Sequence, residues 1–188
     1  MVIKLEHLKA ICPQLHKNAD VFVPYLNEVI LSHKIDTPKR LSAFIAQIAH
    51  ESGQFRYTVE IASGRAYEGR KDLGNIYAGD GVKFKGRGLI QITGRDNYTK
   101  LSKTFGVDFV KNPDLLSTPQ YAVKSAAWFW QTIKGNDYAD LPDTWRSATK
   151  KYTPFQYITY RVNGGQNGYA ERLSFYNKAL AVFAHPVG

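Results

Sequence analysis

Eight glycines stand between positions 64 and 94, at Gly64, Gly69, Gly74, Gly79, Gly81, Gly86, Gly88 and Gly94, and they rule out a continuous helix there. Glycine in a helix interior costs about 1 kcal/mol relative to alanine, so a segment punctuated this densely does not propagate helical hydrogen bonding. Tyr67, Arg70, Tyr77, Phe84 and Arg87 are interleaved with the glycines. A structureless stretch of more than about 15 residues inside a compact domain is either functional or disordered, and interleaved aromatic side chains argue against disorder. The segment is expected to form an irregular lobe or short β-hairpin in which backbone approaches a ligand closely.

Helical periodicity dominates elsewhere. Val21, Tyr25, Val29 and Ile30 mark one apolar face within residues 19–32, while Thr37 and Pro38 supply the N-cap and first-turn proline of a helix that turns Leu41, Phe44, Ile45 and Ile48 inward. Further helices are predicted over residues 96–105, 120–133, 154–162 and 169–183, and strand-like alternation is scarce. The fold class is therefore α+β and predominantly helical. A chain of 188 residues, 44% of them hydrophobic, can bury one sizeable core, and no linker or internal repeat divides it. One domain over residues 1–188, acting as a monomer, is the expectation. The single Cys12 excludes an intramolecular disulfide framework, and nothing resembles a Cys/His zinc cluster.

Charge narrows the partners. Lys and Arg total 25 against 16 Asp and Glu, a formal net charge of +9, which favours polyanions: nucleic acid, anionic lipid or an acidic wall polymer. No RNA-recognition motif, zinc finger or dense Arg/Lys block raises nucleic acid above the others. The opening "MVIKLEHLKAICPQLHKNAD" mixes charged and apolar residues and lacks the apolar run of a signal peptide, and no other run is long enough to span a bilayer. The expected location is a cytoplasm, from which action on an outer structure needs another route of release.

The stretch "IAQIAHESGQF" carries the first chemical signal. Glu51 follows Ile48 by three residues and Phe44 by seven, so helical periodicity puts it on the apolar side. A zinc-type His-Glu-x-x-His motif fails because Gln54 occupies the second His position, and no metal role is expected. His50 points to another face and reads as a packed or hydrogen-bonded histidine. What remains for Glu51 is a general acid kept protonated by an apolar setting, and such chemistry needs a second carboxylate across a cleft. Glu60, nine residues on and beyond the Ser52-Gly53 break, is the leading partner, with Glu68 next.

Beyond these residues, "HESGQF", "YEGRKDLGN", "GDGVKFKGRGLIQITGRDNY", "NPDLL", "VNGG" and "YAERLSFYNKAL" follow one another in an order that resembles the catalytic domain of family 19 glycoside hydrolases, in the form found in bacteriophage endolysins. The resemblance runs from about residue 38 to the C-terminus, and its most specific part is Lys85 to Tyr98. It implies a lysozyme-like fold with a cleft for β-1,4-linked amino sugars, and a single catalytic domain without a separate cell-wall-binding domain. By the same resemblance Glu51 is the general acid, Glu60 the general base and Thr93 a holder of the attacking water. Gln91, Asn97, Asn163, Tyr67 and Arg70 are implied substrate contacts, and Arg172 pairs with the catalytic carboxylates. No cofactor is implied.

The implied activity is hydrolysis of peptidoglycan glycan strands, with inversion, for host cell lysis. The protein would wait in the host bacterial cytoplasm until a separate membrane-permeabilising protein releases it, and its basic surface would make electrostatic contact with the anionic envelope. Chitin hydrolysis is the alternative, and a non-catalytic cell-wall-binding module ranks below it. At least two of Trp128, Phe129 and Trp130, together with Tyr169, Leu173, Tyr176 and Phe183, are read as core, and all of these are left out of the site, because aromatics at helical spacing pack more often than they bind. Trp145 lies in a more polar stretch and falls in neither class.

Overall fold

In the computed structural model, which describes residues 1–184, the helices run in the order α1 (Leu5–Ile11), α2 (Val23–Ser32), α3 (Pro38–Glu51), the one-turn α4 (Asp80–Lys83), α5 (Arg95–Phe105), α6 (Pro119–Thr132), the short α7 (Gly135–Ala139), α8 (Pro154–Asn163) and α9 (Tyr169–Phe183). The expected predominance of helix is what the protein shows. Helix α1 and the short α4 and α7 went unread in the sequence, being too brief to show a period.

Helix α3 begins as its sequence dictates, with Thr37 Oγ1 accepting from the Arg40 amide at 3.3 Å and Pro38 in the first turn. It is more deeply enclosed than its apolar stripe requires: all nine residues from Leu41 to Ala49 are buried. Small side chains at Ser42, Ala43, Ala46 and Ala49 let neighbouring helices approach from several sides, while Phe44, Ile45 and Ile48 each bring about 1.5–3 kcal/mol of apolar burial. Helix α9 is its principal neighbour. It buries Arg172, Phe175, Ala179 and Phe183, one residue per turn or two along one face. Gly168 precedes α9 at φ +68°, and a Cβ there would lie 2.1 Å from the His50 ring, so both backbone angle and close approach demand glycine.

The glycine-rich segment forms the irregular lobe, with only a minimal hairpin inside it. Arg87 makes antiparallel bridges to both Val59 and Ile92. The turn between Arg87 and Ile92 closes through Gln91, whose φ of +57° is unusual for a non-glycine residue. This lobe leans on its own small apolar cluster of Phe84, Ile92, Tyr98, Leu101, Phe109 and Leu116. Arg87, 6% exposed, ties the two together by donating from Nη1 to the Tyr98 hydroxyl at 2.9 Å and to the Lys83 carbonyl at 2.9 Å.

Candidate active site

The double bridge at Arg87 assembles the lobe's half of the site. Because Val59, Arg87 and Ile92 are paired, their chain neighbours Glu60, Gly86, Gln91 and Thr93 are drawn together. Glu60 donates its amide to the Gly86 carbonyl at 2.8 Å, and its carboxylate takes the Gly86 amide on Oε2 at 3.0 Å and the Tyr67 hydroxyl on Oε1 at 2.9 Å. A Cβ on Gly86 would come within 2.9 Å of Gln91 Oε1 and 3.3 Å of Glu60 Oε2, which explains the glycine at that position. Burial and the neighbouring Glu60 carboxylate raise the Tyr67 hydroxyl above its ordinary range, so Tyr67 remains a donor.

Tyr67 is itself fixed from behind. Asn75, fully buried, donates to the Tyr67 carbonyl at 2.9 Å and accepts from the Arg95 amide at 2.9 Å, joining Tyr67 to the first turn of α5. Arg95 in turn grips the buried Asp80 carboxylate through Nε and Nη2 at 2.8 and 2.6 Å, with its guanidinium 4.7 Å from the Tyr77 ring and 4.8 Å from that of Phe84. These hydrogen bonds from Arg95 hold the Asp80 carboxyl below the usual carboxylate range.

Glu51 belongs to the helical half. It is the last residue of α3, and its carboxylate meets Arg172 of α9, whose side chain is wholly buried. Arg172 also donates from Nη1 to Gln47 Oε1 at 2.6 Å and from Nε to the Asn167 carbonyl at 3.0 Å, and Gln47 Nε2 donates to Thr159 Oγ1 of α8 at 3.0 Å. The apolar setting expected for Glu51 is therefore corrected: an arginine with no other acidic partner among the described residues faces it, because α9 crosses α3 at this turn. Helix α3 stops at Glu51, and Gln54 lies beyond the end at φ +59°, off the helical face that a second ligand four residues on would need. His50 turns away to Glu171, with Nδ1 and Oε2 2.5 Å apart.

Gln91, Thr93 and Asn97 line one depression of about 310 Å³. Gln91 Nε2 donates to the Gly88 carbonyl at 3.0 Å, Thr93 Oγ1 to the Gln91 carbonyl at 3.0 Å, and Asn97 Nδ2 to the Thr93 carbonyl at 2.9 Å, so Thr93 is oriented by the backbone of Gln91 and Asn97 by that of Thr93. Val162 lines the same depression, and Asn163 follows it as the exposed last residue of α8. Arg70 is not drawn in: its exposed guanidinium chelates Asp72 at 2.7 and 2.5 Å within the same turn. Glu68 is occupied structurally, accepting from the Gly79 and Gly81 amides at 2.6 and 2.8 Å.

Two groups escaped the sequence reading. Trp128 and Phe129, both left out of the site, line the depression with Gln91, whereas Trp130 alone of the three is fully enclosed. Successive helical residues lie 100° apart, so Trp128 and Trp130 could not share a face, and this signal was available. Gln47 was the other omission. It sits one turn before Glu51, between the apolar residues Phe44–Ala46 and Ile48–Ala49, and a buried amide there demands a partner.

The profile of glycoside hydrolase family 19, described as chitinase class I, matches residues 31–181. The chain belongs to glycoside hydrolase family 19. A family 19 domain-containing protein of Haemophilus influenzae is 37% identical over 123 residues, covering 65% of this chain and 54% of its own length. An endochitinase of Pisum sativum is 30% identical over 175 residues, covering 77% and 53% respectively. The chain thus spans about half the length of these curated relatives. Among solved structures, chitinase C from Streptomyces griseus HUT6037 superimposes with a TM-score of 0.69 at 18% identity over 99% of this chain and 94% of that one. The class IV chitinase from Zea mays gives 0.70 at 20% identity over 96% and 92%. The family 19 domain accordingly has the lysozyme-like fold.

Proposed function

We propose that this family 19 domain hydrolyses β-1,4 glycosidic bonds in the glycan strands of bacterial peptidoglycan, in the lytic role of an endolysin. The observation that carries the reading is that two carboxyls, Glu51 and Glu60, are held in place by unlike partners, a buried guanidinium for one and a tyrosine hydroxyl with a backbone amide for the other. Unlike settings suit two carboxyls to unlike tasks. In this mechanism Glu51 donates its proton to the glycosidic oxygen, and Arg172 stabilises the carboxylate left behind. Glu60 removes a proton from the water that attacks the opposite face of the sugar, which inverts the anomeric carbon. Thr93 spends its own proton on the Gln91 carbonyl, so its oxygen is left to accept from that water. The order of motifs in the sequence supports the division of acid and base.

Peptidoglycan is preferred over chitin on charge. A net charge of +9 concentrates the protein on a wall carrying carboxylates and does little for a neutral polymer. The second reading, chitin, is favoured by the relatives named endochitinases. Incubation with purified peptidoglycan and with polymeric chitin, followed by mass spectrometry of the products, separates the two. New reducing ends should arise from peptidoglycan, with release slowing as salt shortens the Debye length from about 10 Å at 0.1 M to about 3 Å at 1 M. Equal hydrolysis of both polymers without salt dependence would favour chitin, and an anhydro sugar product would replace hydrolysis by transglycosylation.

A further inference from the structure

Helix α8 carries a second ordered group of side chains that the bond-cleaving site does not use. Tyr157 and Tyr160 stand on its outer side. Their rings join those of Tyr138 on α7 and of Trp145 and Tyr152 in the connection before α8. Ring centroids lie 4.7 Å apart for Tyr138 and Tyr157, 5.6 Å for Trp145 and Tyr157, 6.0 Å for Tyr157 and Tyr160, and 5.9 Å for Tyr152 and Tyr160. Trp145, Tyr152, Tyr157 and Tyr160 belong to neither buried apolar cluster, yet each is half-buried. Four large rings outside the core and gathered at one surface are a feature that packing alone does not require.

The surface is also built and basic. Ser147 donates its amide to the Tyr152 carbonyl at 3.0 Å and accepts the Tyr152 amide on Oγ at 2.9 Å, which closes the turn that presents Lys150. A shallow cavity of about 170 Å³ opens between Lys150, Tyr152, Tyr157 and Tyr160. Lys150 Nζ lies 5.1 Å from the Tyr160 ring, and the Arg161 guanidinium lies 5.8 Å from that of Tyr138. Asp143 is engaged by Lys39 at 2.9 Å and Asp140 by Arg40. Among the described residues neither Lys150 nor Arg161 has a carboxylate within salt-bridge distance.

We infer that this face of α8 binds a carboxylate-bearing amino-sugar strand outside the bond-cleaving site, with the rings as platforms for the sugars and Lys150 and Arg161 for the carboxylates. Tyrosine and tryptophan give broad, rigid, amphipathic contact area at low entropic cost, which is what pyranose rings with one apolar face need. The rings of Tyr157 and Tyr160 share helix α8 with Asn163. Tyr157, Tyr160 and Asn163 follow at three-residue intervals, so Tyr160 lies about 4.5 Å and Tyr157 about 9 Å along the helix axis from Asn163. Val162, which lines the depression, is about 160° around α8 from Tyr160, so the rings form a face of the same helix that is separate from the bond-cleaving site. The carboxylate-bearing ligand rests on the peptidoglycan reading proposed above.

The test uses the full chain in two backgrounds. In Glu60→Gln, adsorption to purified peptidoglycan sacculi is compared with and without Tyr160→Ala or Lys150→Ala. In the otherwise unaltered protein, the same changes are assayed for turnover of a soluble amino-sugar oligomer short enough for the cleft alone. Each single change should weaken sacculus binding about tenfold or more and leave short-oligomer turnover unchanged, and Tyr157→Phe, which keeps the ring, should bind normally. Unaltered sacculus binding overturns the proposal, as does a parallel fall in short-oligomer turnover. Tighter, Tyr160-dependent binding of oligo-dT would make the face a nucleic-acid site instead, and equal Tyr160-dependent binding to chitin beads would remove the carboxylate. Tyr160-dependent binding to sacculi that the unaltered protein does not cleave would sink the peptidoglycanase reading and leave this one standing.

Discussion

Arg172, with none of its side chain exposed, hydrogen-bonds Glu51 across the contact between α9 and α3, and Gln47 Oε1 holds the other arm of the same guanidinium at 2.6 Å. The catalytic candidate at the end of α3 is thus anchored by a group that is itself fully satisfied.

Removing the carboxylate charge separates chemistry from fold. Glu51→Gln keeps an oxygen to accept from Arg172 but can neither donate a proton nor become the carboxylate that the guanidinium meets after transfer, so lysis should drop to background while stability falls by about 1–3 kcal/mol. An aryl glycoside, whose leaving group needs no proton, should be turned over by this variant far better than a natural glycan. Equal losses on both substrates would take the acid role away from Glu51. Arg172→Lys supplies one ammonium where a fork reached three acceptors, and denaturant unfolding should register a loss of about 3 kcal/mol.

Glu60 and Glu68 are told apart by what holds them. Glu60→Gln should abolish turnover on natural and aryl substrates alike, and added azide should restore product as a glycosyl azide. Tyr67→Phe removes one hydrogen bond to that carboxylate, worth about 1.5–3 kcal/mol, and a tenfold to hundredfold drop in kcat is expected, about tenfold for each 1.4 kcal/mol felt in the transition state. Glu68→Gln should cost less than about tenfold, since it braces the Gly79–Gly81 backbone away from the reaction. A deeper loss there than at Glu60 would transfer the base role.

Thr93 is expected to orient water and to move no proton. Thr93→Ala should lower kcat about tenfold with little change in KM, and Thr93→Ser, which keeps the hydroxyl, should recover most of it. Steady-state kinetics on a soluble oligomer decides, and a loss as deep as that of Glu60→Gln would place Thr93 in the proton transfer itself.

Asp80 sets the acid sensitivity of the lobe. Its folded carboxyl titrates below the ordinary range because of Arg95, so the folded state binds this proton less readily than the unfolded chain does. The resulting stabilisation is complete above about pH 4 and is lost as pH falls through the lower folded value. Asp80→Asn should cost about 3 kcal/mol at neutral pH, the lower end for breaking a buried pair, because Arg95 remains about a quarter exposed. Denaturant titrations should show the gap from the unaltered protein closing below about pH 4. A gap that stays constant down to pH 2 would mean that the charge pair is not its source.

Local signals were strong where a few adjacent residues decide the outcome. Thr37-Pro38 set the start of α3, the apolar period placed Glu51 on its inner side, and the glycines between 64 and 94 excluded a helix from the lobe. Each of these is a matter of capping, steric freedom or period within a turn or two, and such terms are written in consecutive residues. The order of motifs added the family 19 resemblance, and with it Gln91, Thr93, Asn97 and Arg172.

The tertiary structure alone decided what those residues meet. Glu51 and Arg172 are 121 positions apart, and the guanidinium reaches the carboxylate only because α9 packs on the small residues of α3. Glu60 meets Gly86 because one backbone position, Arg87, bridges two segments at once, and the Arg70 guanidinium turns to an aspartate two residues away. Trp128 and Phe129 pack on the core and also line the depression for a similar reason. A hydrophobic period tells that a face is covered, but the covering group is set by the register of distant elements, and that register is a property of the packed whole.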